Sequence, residues 1–225
     1  MIFTHCGKLG DCLQTLPIIS RWCMDHERSA SIALANFAGS DQAAELIALQ
    51  PFVDKVYKTN YVPGENWGGY PYNMALPLDE EQIHLGFRYW PDKSFLRYVA
   101  EEHGLSFNKD FKLNYGKPLH MADVVVWDRF IDKPIERSGL FNKAFYIDEH
   151  VDLIKATQIL AGAKQAVVFT SAPAIVALLA RIRPTIVGWQ YEESYFREYV
   201  YKDMGAYSFI ELGATTHIDE RFRIL

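Results

Sequence analysis

The stretch MIFTHCGKLGDCLQTLP, residues 1–17, decides how the chain folds. Met1 to Cys6 reads as a short apolar strand running into a glycine-bearing turn, Gly7-Lys8-Leu9-Gly10. Asp11 stands where a helix N-cap belongs, and Leu13, Leu16, Ile19 and Cys23 recur at helical spacing through about His26. Pro17 falls inside that pattern, so a kink or a first-turn irregularity is expected. Working outward, Ser31 to Phe37 reads as a second strand. Ser40 or Asp41 then caps a helix through Leu49, Pro51 ends it, and Phe52 to Lys58 reads as a third strand. This β-α-β-α-β order predicts parallel strands joined by right-handed crossovers.

From Asn60 to Pro91 the pattern breaks down, with Pro63, Gly64, Gly68, Gly69, Pro71 and Pro77 set among Tyr61, Trp67, Tyr70, Tyr72 and Trp90. A stretch of that length inside a compact domain is usually functional. Periodicity resumes with Asp92 as a cap, Phe95, Leu96 and Val99 as an apolar stripe, and Gly104 closing the helix. The second half repeats the alternation. Strands are predicted at Asp123 to Trp127, Ala144 to Ile147, Ala166 to Thr170, Pro184 to Gly188 and Tyr207 to Leu212. Helices are predicted at Val151 to Leu160 (Val151, Ile154, Gln158 and Ala161 along one side), Ala172 to Ile182 and Glu192 to Tyr201. The expected fold is α/β, with two Rossmann-like lobes, each built on its own parallel sheet. Gly116 and Pro118 mark the break, giving lobes of residues 1–115 and 116–225.

Composition narrows the function classes. The 225 residues are 49% hydrophobic and 23% charged, enough for real cores and unlike a disordered or collagen-like chain. Lys plus Arg number 23 against 28 Asp plus Glu, a formal charge of -5, so there is no strong nucleic-acid signal. The three cysteines, Cys6, Cys12 and Cys23, do not form the framework of a secreted disulfide domain. No signal peptide and no apolar run of about 18 residues is present, so the expected location is the cytoplasm, with an inner membrane surface left open.

Two strand-to-helix turns are suited to chemistry, because ligands of open α/β sheets bind beyond the carboxyl ends of the strands. At the first, Gly7, Lys8 and Gly10 let backbone approach a ligand. Asp11, stabilised as an anion by the helix start, either caps the helix or takes a proton from a substrate hydroxyl. Neither the phosphate-loop nor the dinucleotide spacing is present. At the second turn, Thr170, Ser171 and Ala172 open a helix after a buried strand. They either cap it or leave N–H groups for a phosphate or diphosphate. Arg129, Lys133, Arg137, Arg181 and Arg183 are candidates to neutralise phosphates. Cys23 and His26, with Cys6 and Cys12, make a poor zinc set, and no metal or cofactor is expected. No Gly-x-Ser-x-Gly elbow supports a serine hydrolase.

Residues 7–17 resemble the opening of the heptosyltransferase-like (family 9) glycosyltransferases, in which a Gly-Asp precedes a helix with a Thr-x-Pro or Thr-Leu-Pro signature. Pro51-Phe52-Val53-Asp54-Lys55-Val56 is similar to the family's lead into strand three. Tyr98 to Leu105 is similar to its helix ending in Gly-Leu, and Asp152 to Gly188 to the segment that closes its donor site. The resemblance implies a GT-B glycosyltransferase, metal-independent and inverting, with a nucleotide diphosphate sugar as donor and a glycan or small-molecule acceptor. Asp11 matches the family's catalytic base, and the departing diphosphate would lie at the helix beginning near Ser171, across a cleft from it. The family's Asp-Ser/Thr-Gly-x-x-His at the second turn is replaced here by Thr170-Ser171-Ala172-Pro173-Ala174-Ile175-Val176, without the acid or the histidine. The chain is also shorter than the family's usual length, with the loss expected between Trp127 and Ala144. These departures carry an alternative: a catalytically silent nucleotide or nucleotide-sugar binding protein with the same fold.

Overall fold

The computed structural model describes residues 1–5, 8–35, 42–59, 66–67, 70–71, 81–86, 93–128, 133–189, 194 and 196–212. The chain divides into two compact units, Met1–Asn114 and Tyr115–Leu225.

The first unit is built on a parallel sheet of β1 (Ile2–His5), β2 (Ala30–Ala35), β3 (Val53–Thr59) and β6 (Gln82–His84), in the order β3-β2-β1-β6. β4 (Asn66–Trp67) and β5 (Tyr70–Pro71) form a separate antiparallel pair. Strands β1 and β2 are almost wholly buried, as a sheet covered on both faces requires. The fourth strand was not expected. Gln82-Ile83-His84 lacks the length and alternation of a strand, and pairing with β1 at Ile2, Phe3 and Thr4 recruits it.

The helix after β1 is interrupted as Pro17 predicts. α1 (Leu9–Gln14) ends at Thr15, and α2 (Leu16–His26) starts with Pro17 in its first turn. Pro17 has no N–H to give the Leu13 carbonyl, and the Thr15 hydroxyl donates to the Cys12 carbonyl at 2.8 Å, closing the break. α3 (Ala43–Ala48) follows β2, its expected caps Ser40 and Asp41 lying outside the described residues. In α4 (Phe95–Glu102) the cap is Ser94, whose Oγ accepts the Arg97 N–H; the expected cap Asp92 lies outside the described residues. Gly104, at φ +63°, ends α4. Its N–H donates to the Glu101 carbonyl and that of Leu105 to the Ala100 carbonyl, the paired bonds of a Schellman close.

The second unit carries a five-stranded parallel sheet. Its strands are β7 (Val124–Trp127), β8 (Phe145–Tyr146), β9 (Gln165–Phe169), β10 (Thr185–Trp189) and β11 (Ser208–Leu212), ordered β11-β10-β9-β7-β8. Between β7 and β8 lies a helix, α5 (Pro134–Ser138), in the segment where a loss was expected. Val126, Val167, Phe169, Val187 and Ile135 of α5 form the core on that face. α6 (Leu153–Ala161) is capped by Asp152, which accepts the Lys155 N–H at 2.8 Å.

The buried side of α6 is Leu153, Ala156, Thr157, Ile159 and Leu160, not the expected Val151–Ile154–Gln158–Ala161 stripe. Gln158 is turned aside to donate to the Tyr115 carbonyl, and the Thr157 hydroxyl satisfies itself on the Leu153 carbonyl, which lets it enter the core. α7 (Ala172–Leu179) packs on β9. Of the expected helix from Glu192 to Tyr201, the described residues show Ser194 as helical and a π-helical turn at Phe196–Val200. No helix among the described residues is long and apolar enough to cross a membrane.

Candidate functional site

In each sheet the chain leaves one central strand in one direction and returns beside it on the other side, which creates a switch point where ligands bind. In the first unit that point lies at the carboxyl ends of β1 and β6. In the second it lies at the carboxyl ends of β7 and β9. The two turns singled out in the sequence fall there: Lys8, Gly10 and Asp11 directly follow β1, and Thr170, Ser171 and Ala172 directly follow β9.

The first turn corrects one detail. Asp11 is not the N-cap. Lys8 holds that position in extended conformation, α1 begins at Leu9, and Asp11 is the third helical residue. From there its Oδ2 accepts the Lys8 backbone N–H at 3.1 Å, the acid half of a capping box. The carboxylate is thus oriented by the backbone it follows and stabilised as an anion at a helix start. Gly7 lies outside the described residues.

Beneath this turn is a set of buried titratable groups that the sequence reading did not assemble. Cys12 Sγ is hydrogen-bonded to His5 Nδ1 at 3.3 Å, and Thr4 Oγ1 to His84 Nδ1 at 2.9 Å. The two imidazoles lie 6.4 Å apart. Burial, helped by His84, pushes His5 down to about 3, and burial, helped by His103, pushes His84 down to about 4. Both rings are therefore neutral at physiological pH. The one available signal was that His5 ends a strand at the point where its partner strand must also end. Among the described residues no three His, Cys, Asp or Glu side chains are placed to hold a metal ion. Cys23 is buried, its thiol pushed up to about 11 by burial.

The second turn is leaner in donors than its sequence suggests. Ser171 is extended and makes no side-chain cap. Its N–H donates to the Phe169 carbonyl at 2.8 Å, and the Thr170 N–H to the Val187 carbonyl at 3.0 Å. Pro173 has no N–H, and the Ala174 N–H is used on the Ser171 carbonyl. The Ala172 N–H is the first-turn donor with no partner among the described residues. Ser171 and the buried Thr170 add two hydroxyls at the start of an otherwise apolar helix. Arg129 lies outside the described residues.

Close by, Asp128 follows β7 and is only 7% exposed. Its Oδ2 accepts the Glu136 N–H at 2.7 Å, capping α5 from eight residues away where Lys133 supplies no cap of its own. Burial first, and then the Asp128 and Glu136 carboxylates, push the Tyr146 phenol up to about 12.

These two switch points, on a 3-2-1-4 sheet and a 2-1-3-4-5 sheet, define a doubly wound, two-unit α/β protein. Its fold is that of the heptosyltransferase-like glycosyltransferases. A glycosyltransferase family 9 structure from Veillonella parvula matches 93% of this chain and 86% of its own, with TM-score 0.59 and 8% identity. The iron-containing dodecameric glycosyltransferase TibC from enterotoxigenic E. coli matches 83% of this chain with TM-score 0.55 and 11% identity. A structure of the heptosyltransferase TibC in complex with ADP-D-beta-D-heptose matches with TM-score 0.54 and 13% identity. The chain spans 58% of the length of TibC. No protein-family profile and no curated protein sequence matches it.

Proposed function

We propose that the chain is a glycosyltransferase that moves a sugar from a nucleotide diphosphate sugar to an acceptor hydroxyl, without a metal and with inversion at the anomeric carbon. The acceptor is a glycan or a small molecule, and the reaction belongs to the cytoplasm or the inner membrane surface. Residues 1–115 serve the acceptor and residues 116–225 the donor. The observation that carries this reading is that the two turns marked by sequence each occupy the switch point of their own sheet.

Asp11 takes the proton of the acceptor hydroxyl as its oxygen attacks the anomeric carbon. The bond from that carbon to the diphosphate oxygen breaks, and the nucleoside diphosphate leaves as an anion. Gly7, Lys8 and Gly10 shape the acceptor side. Thr170, Ser171 and Ala172 hold the diphosphate through two hydroxyls, one N–H and the positive end of α7, with Arg129 adding charge. A second reading, a silent nucleotide-sugar binding protein, is favoured by the donor turn itself. It lacks the family's acid and histidine, and Pro173 and Ala174 withdraw two of its donors.

A thermal-shift panel of nucleoside diphosphates and their sugar conjugates tests both. A ligand at about 100 times its dissociation constant adds about 2.7 kcal/mol, roughly 5–10 °C for a chain of this size. With the donor found, Asp11→Asn is expected to cut transfer by about 10²–10⁴-fold while leaving donor affinity unchanged. Donor binding without turnover, identical in both forms, selects the silent protein. A flat panel removes both readings.

A further inference from the structure

Asp11 rides on a helix of only six residues, α1, which the break at Thr15 and Pro17 separates from α2. Burial of Leu9 and Leu13 holds α1 to the sheet, but apolar burial is non-directional. Asp11 and Cys12 are consecutive, so their side chains leave the helix about 100° apart. Cys12 is buried, while Asp11 is half-buried. Cys12 Sγ meets His5 Nδ1 at 3.3 Å, a bond that crosses the turn to the last residue of β1. That anchor is itself fixed. His5 is buried and pairs with Leu34 of β2, and beside it the His84 ring is bonded through Nδ1 to the Thr4 hydroxyl at 2.9 Å. Burial holds His5 at about 3, so the ring stays neutral and the bond keeps one form around neutral pH. Within α1, the Cys12 N–H donates to the Lys8 carbonyl at 3.0 Å and its carbonyl accepts the Thr15 hydroxyl. One residue thus ties both ends of a short helix to each other and to the sheet.

We propose that Cys12 and His5 are positioning residues for Asp11. Their bond fixes the rotation of α1, and with it the place of the carboxylate, a role that rests on the reading of Asp11 as the base. A side-chain tip about 5–6 Å from a helix axis moves about 1 Å when the helix turns by about 10°. A misplacement of about 1 Å in a reacting group costs up to about 10²-fold in rate. A directional tie one residue from the base therefore acts on rate through a movement too small to disturb the fold.

The test compares wild type with Cys12→Ala, Cys12→Ser and Cys23→Ala. Serine keeps a hydrogen-bonding group at the same place. Cys23→Ala removes the same atom from a buried site on α2, where the thiol meets the Phe52 carbonyl instead. Two readouts are taken on the whole chain. By NMR, the Lys8 amide, which donates to Asp11 Oδ2, reports the carboxylate by shifting as it titrates. Turnover of ADP-, UDP- and GDP-linked sugars is followed as nucleoside diphosphate release with water in place of the acceptor. The water oxygen bonds to the anomeric carbon, its proton goes to Asp11, and the bond to the diphosphate breaks. Cys12→Ala is expected to lose most of the Lys8 response and to lower kcat about tenfold to a hundredfold, with KM for the nucleotide sugar within about threefold. Cys12→Ser and Cys23→Ala are expected to keep the response and to stay within about threefold of wild type in kcat. An unchanged Lys8 response in Cys12→Ala, whatever its kcat, overturns the positioning role and leaves the proposed function standing. An altered response with unchanged kcat does the same. Equal losses in Cys12→Ala and Cys23→Ala, or in Cys12→Ala and Cys12→Ser, also overturn it, because the packing of a thiol and not its bond would then be at work. A wild type that releases no nucleoside diphosphate overturns the proposed function and this role with it. A Lys8 response that still separates the variants then places the failure in the chemistry and not in the geometry.

Discussion

The two units solve one wiring problem with opposite chemistry. Both are parallel sheets with a switch point beside a central strand, and both present a strand-to-helix turn there. In the first unit the turn carries a carboxylate, and two buried neutral imidazoles and a thiol lie at the strand ends. In the second the turn carries hydroxyls, a proline and one open N–H, and the nearby carboxylate of Asp128 is spent on capping α5. On the proposed reading, proton handling belongs to the first and anion holding to the second.

The sharpest consequence is acid sensitivity of the first unit. His5 and His84 are held near 3 and 4 when folded, against an ordinary 6.5. Between those values the unfolded chain binds more protons than the folded one, so stability is whole above about pH 6.5 and falls as pH drops toward 4. From pH 7 to pH 5 the loss is on the order of 2–4 kcal/mol for the pair. His120 and His150 of the second unit are exposed. Hydrogen exchange at pH 7 and pH 5 should show amides of β1, β2 and β6 losing protection before those of β9 and β10. Equal loss in both units would break the comparison.

What could be read from sequence follows the same division. β1, β2, β9 and β10 were legible because strands buried on both faces are continuous apolar runs bounded by Gly, Pro or polar residues, and β3, which is half-buried to exposed, because it follows the helix-ending Pro51. β6 was not. Three residues, one of them apolar, become a strand through pairing with β1, a tertiary cause that leaves no local trace. α5 escaped notice because its cap, Asp128, is supplied from eight residues away. Both turns were legible through residue type, but their donor inventory was not. The position of Asp11 in the third helical place and the bonds that occupy the Ser171 and Ala174 N–H groups depend on where each helix begins. A one- or two-residue shift in that boundary decides which groups remain for a ligand.

Glycines give a second contrast. A Cβ at Gly162, just after α6, would lie 2.3 Å from the Leu119 carbonyl oxygen and 2.7 Å from the His120 nitrogen, backbone atoms that cannot move aside cheaply. At Gly104, after α4, a Cβ meets nothing within 4 Å, and the cost is only that of the left-handed backbone at φ +63°. Gly162→Ala is expected to destabilise the second unit by about 3 kcal/mol, and Gly104→Ala the first by about 1 kcal/mol. Urea unfolding of each, against wild type, checks the order. A reversed order would mean that the 119–120 segment does not lie against the end of α6.

The smallest effect asks whether the two units are equally dependent on their helix starts. Ser94 caps α4 with a long bond of 3.4 Å from the Arg97 N–H, whereas Asp152 caps α6 with a short one of 2.8 Å from the Lys155 N–H. A charged acceptor at a helix start also gains from the dipole, and the hydroxyl does not. Ser94→Ala should therefore cost about 0.5 kcal/mol and Asp152→Ala about 1–1.5 kcal/mol. The Asp152 term should shrink in high salt, through screening of its interaction with the helix end, and the Ser94 term should not. Urea midpoints of the two variants at low and high salt separate the contributions. A salt-independent Asp152 term would mean that hydrogen-bond geometry alone, and not charge, sets the strength of that cap.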